Sequence, residues 1–503
     1  MAFTPPNLEY SALAPMLIIF AAAIIGVIVE AFVSAKLRGP LQLAIALGAT
    51  ILSFSQVLSL RGTQTATAAM DSVIIDSPVL FMQGTILVFA FLGLLLIADH
   101  EQFAPQASAI PGSTEEASAI KVGKTQTEIY PLTLFAVGGM MLFPAASDLI
   151  TLFIALEVLS LPLYLMAGLS RRRRLLSQEA ALKYFLLGAY SSAFFLFGSA
   201  FLYGYAGTVS LEGIHNLISS GPGNDIFLLI GIASLSVGLL FKVGAVPFHA
   251  WTPDVYQGAP TAVTAFMAAA TKVAAFGAVL RIFYTSISGA VWSWRPLITA
   301  IAIVTMLVGS LIAIAQRDVK RMLAYSSIAH AGFLLTGVLA LNQSGITASL
   351  FYLASYGLTT LGAFALVSLV RDSAGEVTDL NRWVGLAKRS PLIATIFSLF
   401  LLSFAGIPLT AGFIGKFTIF SAAYENGNIG VVVVGVLSSA IAAFFYIRVI
   451  VMIFFADPES DSVSVVIPSK FTITVIWIAA IGTLLLGIYP TPILDAITPI
   501  FVR

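Results

Sequence analysis

Cysteine is absent from this chain, and several chemistries go with it. Iron–sulfur clusters are held by thiolates, and disulfide or thiol redox chemistry needs sulfur. Histidine is scarce, at four residues. His100 and His215 read as loop residues, which leaves His249 and His330 near membrane depth, too few for a multi-haem cytochrome. No metal-ligand cluster and no Ser/His/Asp grouping in a soluble domain is visible. Charge is scarce as well: Asp, Glu, Lys and Arg make up 10% of the residues, where a soluble globular domain carries roughly 25%. The formal net charge of +1 offers no basic excess for nucleic acid and no acidic excess for a strongly charged substrate. The first ten residues contain Glu9 but neither Lys nor Arg, so the basic start of a secretory signal is missing and the first apolar segment reads as a retained helix.

What is abundant is apolar residues: 59% of 503 positions, with a mean hydropathy of +0.99. Most of the surface must face lipid. A spanning helix needs about 20 mostly apolar residues. That rule predicts an all-α polytopic membrane protein with fourteen helices, near 12–34, 40–60, 79–98, 129–147, 148–169, 178–205, 224–255, 258–285, 296–316, 320–341, 344–371, 391–425, 429–455 and 470–489. The softest joint is Ser147–Asp148. Placing the N-terminus outside puts sixteen loop Lys and Arg on the cytoplasmic side (Lys36, Arg38, Lys121, Lys124, Arg171 to Arg174, Arg317, Lys320, Arg321, Arg371, Arg382, Lys388, Arg389 and Lys470) and four on the other (Arg61, Arg281, Arg295 and Arg503). Cytoplasmic loops carry the excess of basic residues, so both termini are expected outside. The Arg171–Arg174 run reads as an anchor of that kind rather than an anionic-lipid site, and Gln102–Glu128 as a flexible cytoplasmic loop.

Two predicted spans are too long for one straight helix, and each carries Gly and Pro at its middle. The seventh contains Gly244 and Pro247; the twelfth contains Gly406 and Pro408. Proline removes a backbone donor and adjacent glycine lets the chain leave helical geometry. Non-helical backbone at that depth is tolerated only where protein or water lines it. Interrupted helices at matching places in two halves point to inverted repeats with a site at the break. The two lie five helices apart, an odd offset, so the units enter from opposite sides. The expected division is 1–98 for helices 1–3, 99–128 for the cytoplasmic loop, 129–285 for a first five-helix repeat, 296–455 for a second, and 470–503 for the last helix and C-terminus.

Removing the twenty loop basics from the 25 in the chain leaves Lys183, Lys242, Lys272, Lys416 and Arg448 within spans, with Glu157 and Glu30 among the acids. A charge at the bilayer centre costs roughly 2.5–3.5 kcal/mol even on insertion scales, so each is by default functional. Lys242 and Lys272 are central in their spans, and Lys416 lies on the second half of the broken twelfth helix. Burial disfavours an ammonium and a nearby carboxylate favours it, so such groups can exchange protons when a partner moves. Glu157, nine residues into the fifth span, is the carboxylate available. Lys183 stands four residues after Glu179, the favourable order for a surface pair; spacing leaves it between snorkelling and relay. Glu30 and Arg448 lie near helix ends and read as structural. His249 and His330 can relay protons near neutral pH or simply pack. Gly412–Thr418 resembles the tail of a phosphate-binding loop, but that motif needs Gly at 410 and Ser or Thr at 417, where the chain has Thr410 and Phe417.

The string FKVGAVPFHAWTPDVYQGAP at 241–260 closely resembles the proton-translocating antiporter-like subunits of respiratory complex I. ATK at 270–272, GIPLTAGFIGK at 406–416 and Leu156–Glu157 extend the match across helices 4 to 13. The WTPDVYQGAP segment, the lysine at 416 and an end just after helix 14 resemble the N type within that family. The resemblance implies that Glu157 is the helix-5 carboxylate and Lys183 its helix-6 neighbour. It likewise implies that Lys242 is the helix-7 lysine, Lys272 the central lysine of helix 8 and Lys416 the terminal lysine of helix 12. It also implies that flavin, iron–sulfur clusters and quinone belong to other subunits, and that this chain has no cofactor or metal of its own. Its partners would then be the other membrane-arm subunits, the lipid bilayer of a bacterial inner membrane, and protons.

The expected mechanism pairs Glu157 with Lys183 or Lys242. Breaking the pair sends a proton along Lys242, Lys272 and His330 toward Lys416. The competing readings are a cation/proton antiporter subunit of a non-redox transporter and a scaffold that pumps nothing.

Overall fold

Local caps decide where the apolar segments become helices. In the computed structural model, which describes residues 8–62, 66–99, 114, 118, 126–170, 174–221, 225–372, 375–457, 464–497 and 500–501, the chain begins with α1 (Tyr10–Phe32) and α2 (Ala35–Leu60). A small hairpin, β1 (Ala66–Ala68) with β2 (Val73–Ile75), leads to α3 (Ser77–Ile97). Asp76 starts α3 by accepting the Val79 amide at 3.0 Å, with Pro78 in the first turn where its missing donor costs nothing.

Then come α4 (Ile129–Leu142), α5 (Leu149–Ala167) and α6 (Arg174–Ala206). The uncertain joint proves real: Phe143–Ala145 forms a tight 3-10 turn, and Asp148 caps α5 on the amides of Ile150 and Thr151, both at 2.8 Å. A short helix, Leu211–Ser220, connects to the broken pair α7a (Asp225–Val243) and α7b (Trp251–Gly258). It carries His215, which is therefore helical and buried rather than in a loop.

The chain continues through α8 (Thr261–Ser286), α9 (Val291–Ile314), α10 (Val319–Leu339) and α11 (Gln343–Val367). The second broken pair is α12a (Pro391–Ala405) and α12b (Ala411–Glu425), followed by α13 (Ile429–Phe455) and α14 (Lys470–Ile488). A three-stranded antiparallel patch of β3 (Val370–Asp372), β4 (Gly375–Glu376) and β5 (Ser464–Val465) ties the loop after α11 to the one before α14. Among the described residues, 12 helices are long and apolar enough to cross a membrane, and Ile129–Ala145 and Pro391–Ala405 are shorter apolar ones; together they are the expected crossings.

The bundle has an axis. α8 is buried along its whole length, and α10 and α11 nearly so, while α2, α9 and α13 expose a broad apolar face. Small residues make the axis possible: α8 reads MAAAT at 267–271, and such stretches let helices approach closely. That same segment is a π-helical turn, as is Ile282–Ser286. The wider turn ends at Lys272 and resets which way that side chain leaves the helix.

One packing pattern occurs twice. Gly139 presses on the backbone of α5, where an added Cβ would lie 2.4 Å from the Leu159 nitrogen; Gly309 presses on α10 in the same way, 2.5 Å from the Ala329 nitrogen. Asp148 pairs with Ser210 and caps α5, while Asp318 pairs with Asp379 and caps α10 on the amides of Lys320 and Arg321. Position 309 follows 139 by the same interval as 318 follows 148.

Two charges expected in loops are buried instead. Arg281 lies inside α8, as its expected span already placed it, and is held in the bundle by Asp76 and the Pro144 carbonyl, while Lys320 lies in the first turn of α10 beneath the loop after α11. Arg448 and Glu30 sit as expected: Arg448 donates to the Ile314 carbonyl at 3.1 Å, and Glu30 pairs with Arg38 at 2.7 Å. Lys121, Lys124, His100, Arg171, Arg172, Arg173, Arg503 and nearly all of the 99–128 loop lie outside the described residues.

Candidate functional site

The first helix break shapes the surroundings of Lys242. α7a stops at Val243 because Gly244 turns at φ +75°, and the chain passes through a cis Val246–Pro247 bond to α7b. The freed Phe241 carbonyl accepts the Gly244 amide at 3.1 Å and the Trp251 indole at 2.9 Å. Lys242, in the last turn of α7a, is buried, and its Nζ has no hydrogen-bond partner among the described residues. Three rings surround it, with centroids 5.4 Å away for Tyr164, 5.3 Å for Tyr184 and 5.9 Å for Phe241. Trp251 stacks on Tyr184 at 4.6 Å and 9°, which holds the box rigid. Ring faces stabilise a cation without taking its proton.

Glu157 completes this end. Its Oε1 is buried with no hydrogen-bond partner among the described residues, and it makes no ion pair with either lysine proposed for it. It lies close enough to act on Lys242 and Tyr164 through space.

Lys183 has other partners. It pairs with Glu179 at 2.6 Å and with Asp254 of α7b at 2.7 Å, and its side chain is 42% exposed. The i,i+4 pair visible in the sequence forms. Asp254 also takes Arg321 of α10 at 2.6 Å; Arg321 donates to Gln257, which donates to Asp318 at 3.0 Å. A charged network thus joins α6, α7b and α10 beside the break.

From Lys242 a narrow cavity of about 10 Å³ leads to Lys272. Thr252, Tyr256, Thr271 and Ser327 line it, and the hydroxyls of Thr252 and Thr271 have no hydrogen-bond partner among the described residues. A space of that size holds about one water, and it is polar enough to keep it. Lys272 donates to the Ser327 carbonyl, with the Tyr356 ring centroid 5.4 Å from its Nζ. Tyr356 in turn packs on His330 at 4.6 Å. His330 hydrogen-bonds the Tyr352 hydroxyl through Nδ1 at 2.6 Å and approaches the Tyr446 hydroxyl through Nε2 at 3.5 Å; Tyr446 is bonded to Ser326. His330 stands within electrostatic reach of both Lys272 and Lys416. His249 is only half-buried, edge-on to Tyr325 at 6.5 Å and outside the lining of the cavity.

The second break holds Lys416. α12a ends at Gly406, φ +82°, and its last carbonyls lose their helical donors. Lys416 on α12b reaches back to the Phe404 and Ala405 carbonyls at 2.8 and 3.0 Å and to the Ser439 hydroxyl at 2.8 Å. A cation suits that spot, because a helix C-terminus carries partial negative charge. Lys242, Lys272, His330 and Lys416 thus come together as one buried row between the two breaks.

Three charged groups were missed in the sequence. Asp254 stands in the motif at 241–260, but nothing local shows that it bridges two helices. Arg281 pairs with Asp76 at 2.8 Å, both side chains 1% exposed, and donates to the Pro144 carbonyl at 3.2 Å. A cavity of about 400 Å³, with Asp71 and Glu212 on its wall, reaches Arg281. Lys320 donates to the Ala259 carbonyl at 2.9 Å and the Thr261 hydroxyl at 3.0 Å, with Glu376 at 4.0 Å. The Asp-Ser-Pro cap signature at 76–78 was the one available signal. Among the described residues, no three His, Asp or Glu side chains are grouped to hold a metal ion.

Residues 146–442 match the family described as NADH:quinone oxidoreductase/Mrp antiporter, TM. NADH-quinone oxidoreductase subunit N of Rhodococcus opacus is 56% identical, over 97% of this chain and 95% of that protein. NADH-quinone oxidoreductase subunit N 3 of Streptomyces griseus is 53% identical, over 100% of this chain and 96% of that protein. A chain of respiratory complex I from Thermus thermophilus superposes with a TM-score of 0.78 at 31% identity, covering 96% of this chain and 99% of that one.

Proposed function

Because the chain belongs to the NADH:quinone oxidoreductase/Mrp antiporter family, we propose that it is an N-type membrane-arm subunit of a bacterial NADH:quinone oxidoreductase that moves protons along its buried lysines. It spans the inner membrane many times, and its partners are the other membrane-arm subunits. NADH oxidation and quinone reduction belong to other subunits, as do flavin and clusters; this chain supplies proton transfer.

The polar cavity between Lys242 and Lys272 carries this reading, because it joins two buried cations that would otherwise be isolated in an apolar bundle. Glu157 holds the proton on Lys242 through space. When a conformational or electrostatic change weakens that field, Lys242 gives its proton to water held by Thr252 and Thr271. That water passes a proton to Lys272, and the chain continues through His330 and its tyrosines to Lys416. Lys272 and Lys416 first pass their own protons onward, Lys416 releasing its proton to the outer side, and Lys242 is reloaded from the Lys183 side, so every lysine ends the cycle protonated as it began. Lys183, with Asp254 and Arg321, stands at the uptake side; His249 stands beside the row.

The duplicated packing of Gly139 with Asp148 and of Gly309 with Asp318 supports two five-helix repeats, 129–285 and 296–455, each contributing one break. Both termini lie outside. Moving Arg281 and Lys320 from the loops into the bundle leaves the basic excess on the cytoplasmic side intact.

Lys242→Arg tests the relay, since a guanidinium keeps its proton at any working pH. In inverted membrane vesicles the variant complex should assemble and translocate several-fold fewer protons per NADH oxidised. Parental stoichiometry would overturn the relay. Parental stoichiometry in Lys242→Ala and Glu157→Ala as well would make the chain a scaffold. Tags at both termini should react with impermeant reagents from outside the cell; cytoplasmic labelling of either overturns the orientation.

A further inference from the structure

Away from the lysine row, α2, α3, α11 and α14 leave a groove of about 250 Å³ open on the side of the bundle. Phe54 and Leu58 of α2, Val88 of α3, Leu358 of α11 and Leu486 of α14 line it. Of all its lining side chains, only Thr85 and Arg61 carry polar atoms. Thr85 is satisfied within its own helix by the Phe81 carbonyl at 2.9 Å, so the interior makes no polar demand. Arg61 stands at the mouth, exposed, with one Nη2 bond of 2.7 Å to the Ala496 carbonyl that pins the guanidinium at the rim.

Depth agrees with charge. Val88 is eleven residues into α3, or about 16 Å at 1.5 Å per residue, close to half of a hydrocarbon core of about 30 Å. Arg61 ends α2 on the same face on which α3 begins. The groove thus runs from headgroup level to mid-membrane, the length of one leaflet. On that face exposed basic residues are scarce and topology disfavours them. Arg295 is held there by Asn428 at 3.0 Å and the Asn426 carbonyl, and Arg281 is buried on Asp76. Among the described residues Arg61 has no such acid or amide side chain as a partner, and its planar fork of five donors matches a phosphate.

We propose that this groove binds one phospholipid of the outer leaflet, its acyl chain between α2, α3, α11 and α14 and its phosphate on Arg61. The choice of leaflet rests on the orientation proposed above; the groove and its arginine do not. The lipid would seal the seam between the first three helices and the helices of the second half.

The test uses the intact complex, delipidated in mild detergent and titrated with dioleoyl phosphatidylglycerol, with bound lipid counted by native mass spectrometry. Arg61→Glu reverses the charge at an exposed position. Gly84→Leu fills the groove itself, because a Cβ there meets only Phe54 and Val57 at ordinary contact distances of 3.6 and 3.7 Å. Each variant should retain one phospholipid fewer than the parent, and Arg61→Glu should weaken binding by about tenfold; monoolein, which lacks phosphate, should not compete. Unchanged lipid counts in both variants overturn the proposal. Loss of a neighbouring subunit with lipid retained also overturns it, since a protein would then cover the groove. Lipid counts are read independently of proton pumping, so failure of the relay reading would leave this outcome legible.

Discussion

The ammonium of Lys416 lies 2.8 Å from the carbonyl oxygen of Phe404, so a side chain from one half of the broken helix closes the end of the other half. The same residue is both a cap and a buried charge. Lys416→Gln should separate the two. An amide can still donate to the Phe404 and Ala405 carbonyls but holds no exchangeable cation. Losing the charge-assisted bonds should cost about 1–3 kcal/mol, small enough for the complex to assemble on native gels. Proton translocation per NADH should fall about tenfold. Failure to assemble would instead make Lys416 chiefly structural.

Gly406 is required by the same geometry. Its φ of +82° is left-handed, and an added Cβ would lie 2.9 Å from Cδ of Lys416. Gly406→Ala should cost roughly 1–2 kcal/mol from backbone strain alone, and it should push the lysine off its carbonyls. Gly430→Ala is the control, since a Cβ there meets nothing within 4 Å. The first variant should lower both thermal stability and pumping; the second should leave both at parental values.

How much of this could be read beforehand follows from the range of each interaction. Spans and breaks are local, so apolar runs and the Gly/Pro positions at 244, 247, 406 and 408 placed them within a few residues. Depth is local too, and it picked out Lys242, Lys272 and Lys416. Partners are not local. Asp254 lies far from Lys183 in the chain and meets it only because α7b folds back against α6. Arg281 and Lys320 stand near the ends of the expected spans 258–285 and 320–341, so they read as flanking basic residues; their burial depends on Asp76 and on the Ala259–Thr261 segment, contributed by distant parts of the chain. The partner of His330 is not local either, since its Nδ1 meets Tyr352 only once α10 and α11 pack together.

Glu157→Gln isolates the field of the carboxylate. The side chain keeps its shape, and among the described residues Glu157 has no ion pair to break. Assembly and melting temperature should stay near parental values while pumping drops several-fold. Glu157→Asp, which keeps the charge, should recover part of it. Full pumping in Glu157→Gln, measured as pH-gradient dye quenching in vesicles, would remove Glu157 from the mechanism.

The Lys183–Asp254–Arg321 network makes an asymmetric prediction. Lys183 is 42% exposed, and pairs that wet are worth only about 0.2–1 kcal/mol. Lys183→Ala should therefore barely move the thermal midpoint of the purified complex. Asp254→Ala should move it further, since both Lys183 and Arg321 lose their shared partner. A double variant should be less destabilised than the sum of the two singles.

Arg281 and Asp76 should respond most strongly. Each side chain is 1% exposed, so removing one partner strips the other of its paired counter-charge while it is still buried. Breaking a buried pair from one side costs about 3–5 kcal/mol, because a charge is left without compensation in an apolar interior. Asp76 also caps α3, and loss of an N-cap adds about 1 kcal/mol. Asp76→Ala should therefore prevent accumulation of the subunit in the membrane, and Asp76→Asn, which keeps a capping oxygen, should be milder. Replacing both partners, Asp76→Asn with Arg281→Met, removes the orphaned charge and should restore assembly beyond either single change. Equal loss in the double and single variants, by immunoblot of membranes, would show that the pair itself and not the stranded charge is what the fold needs.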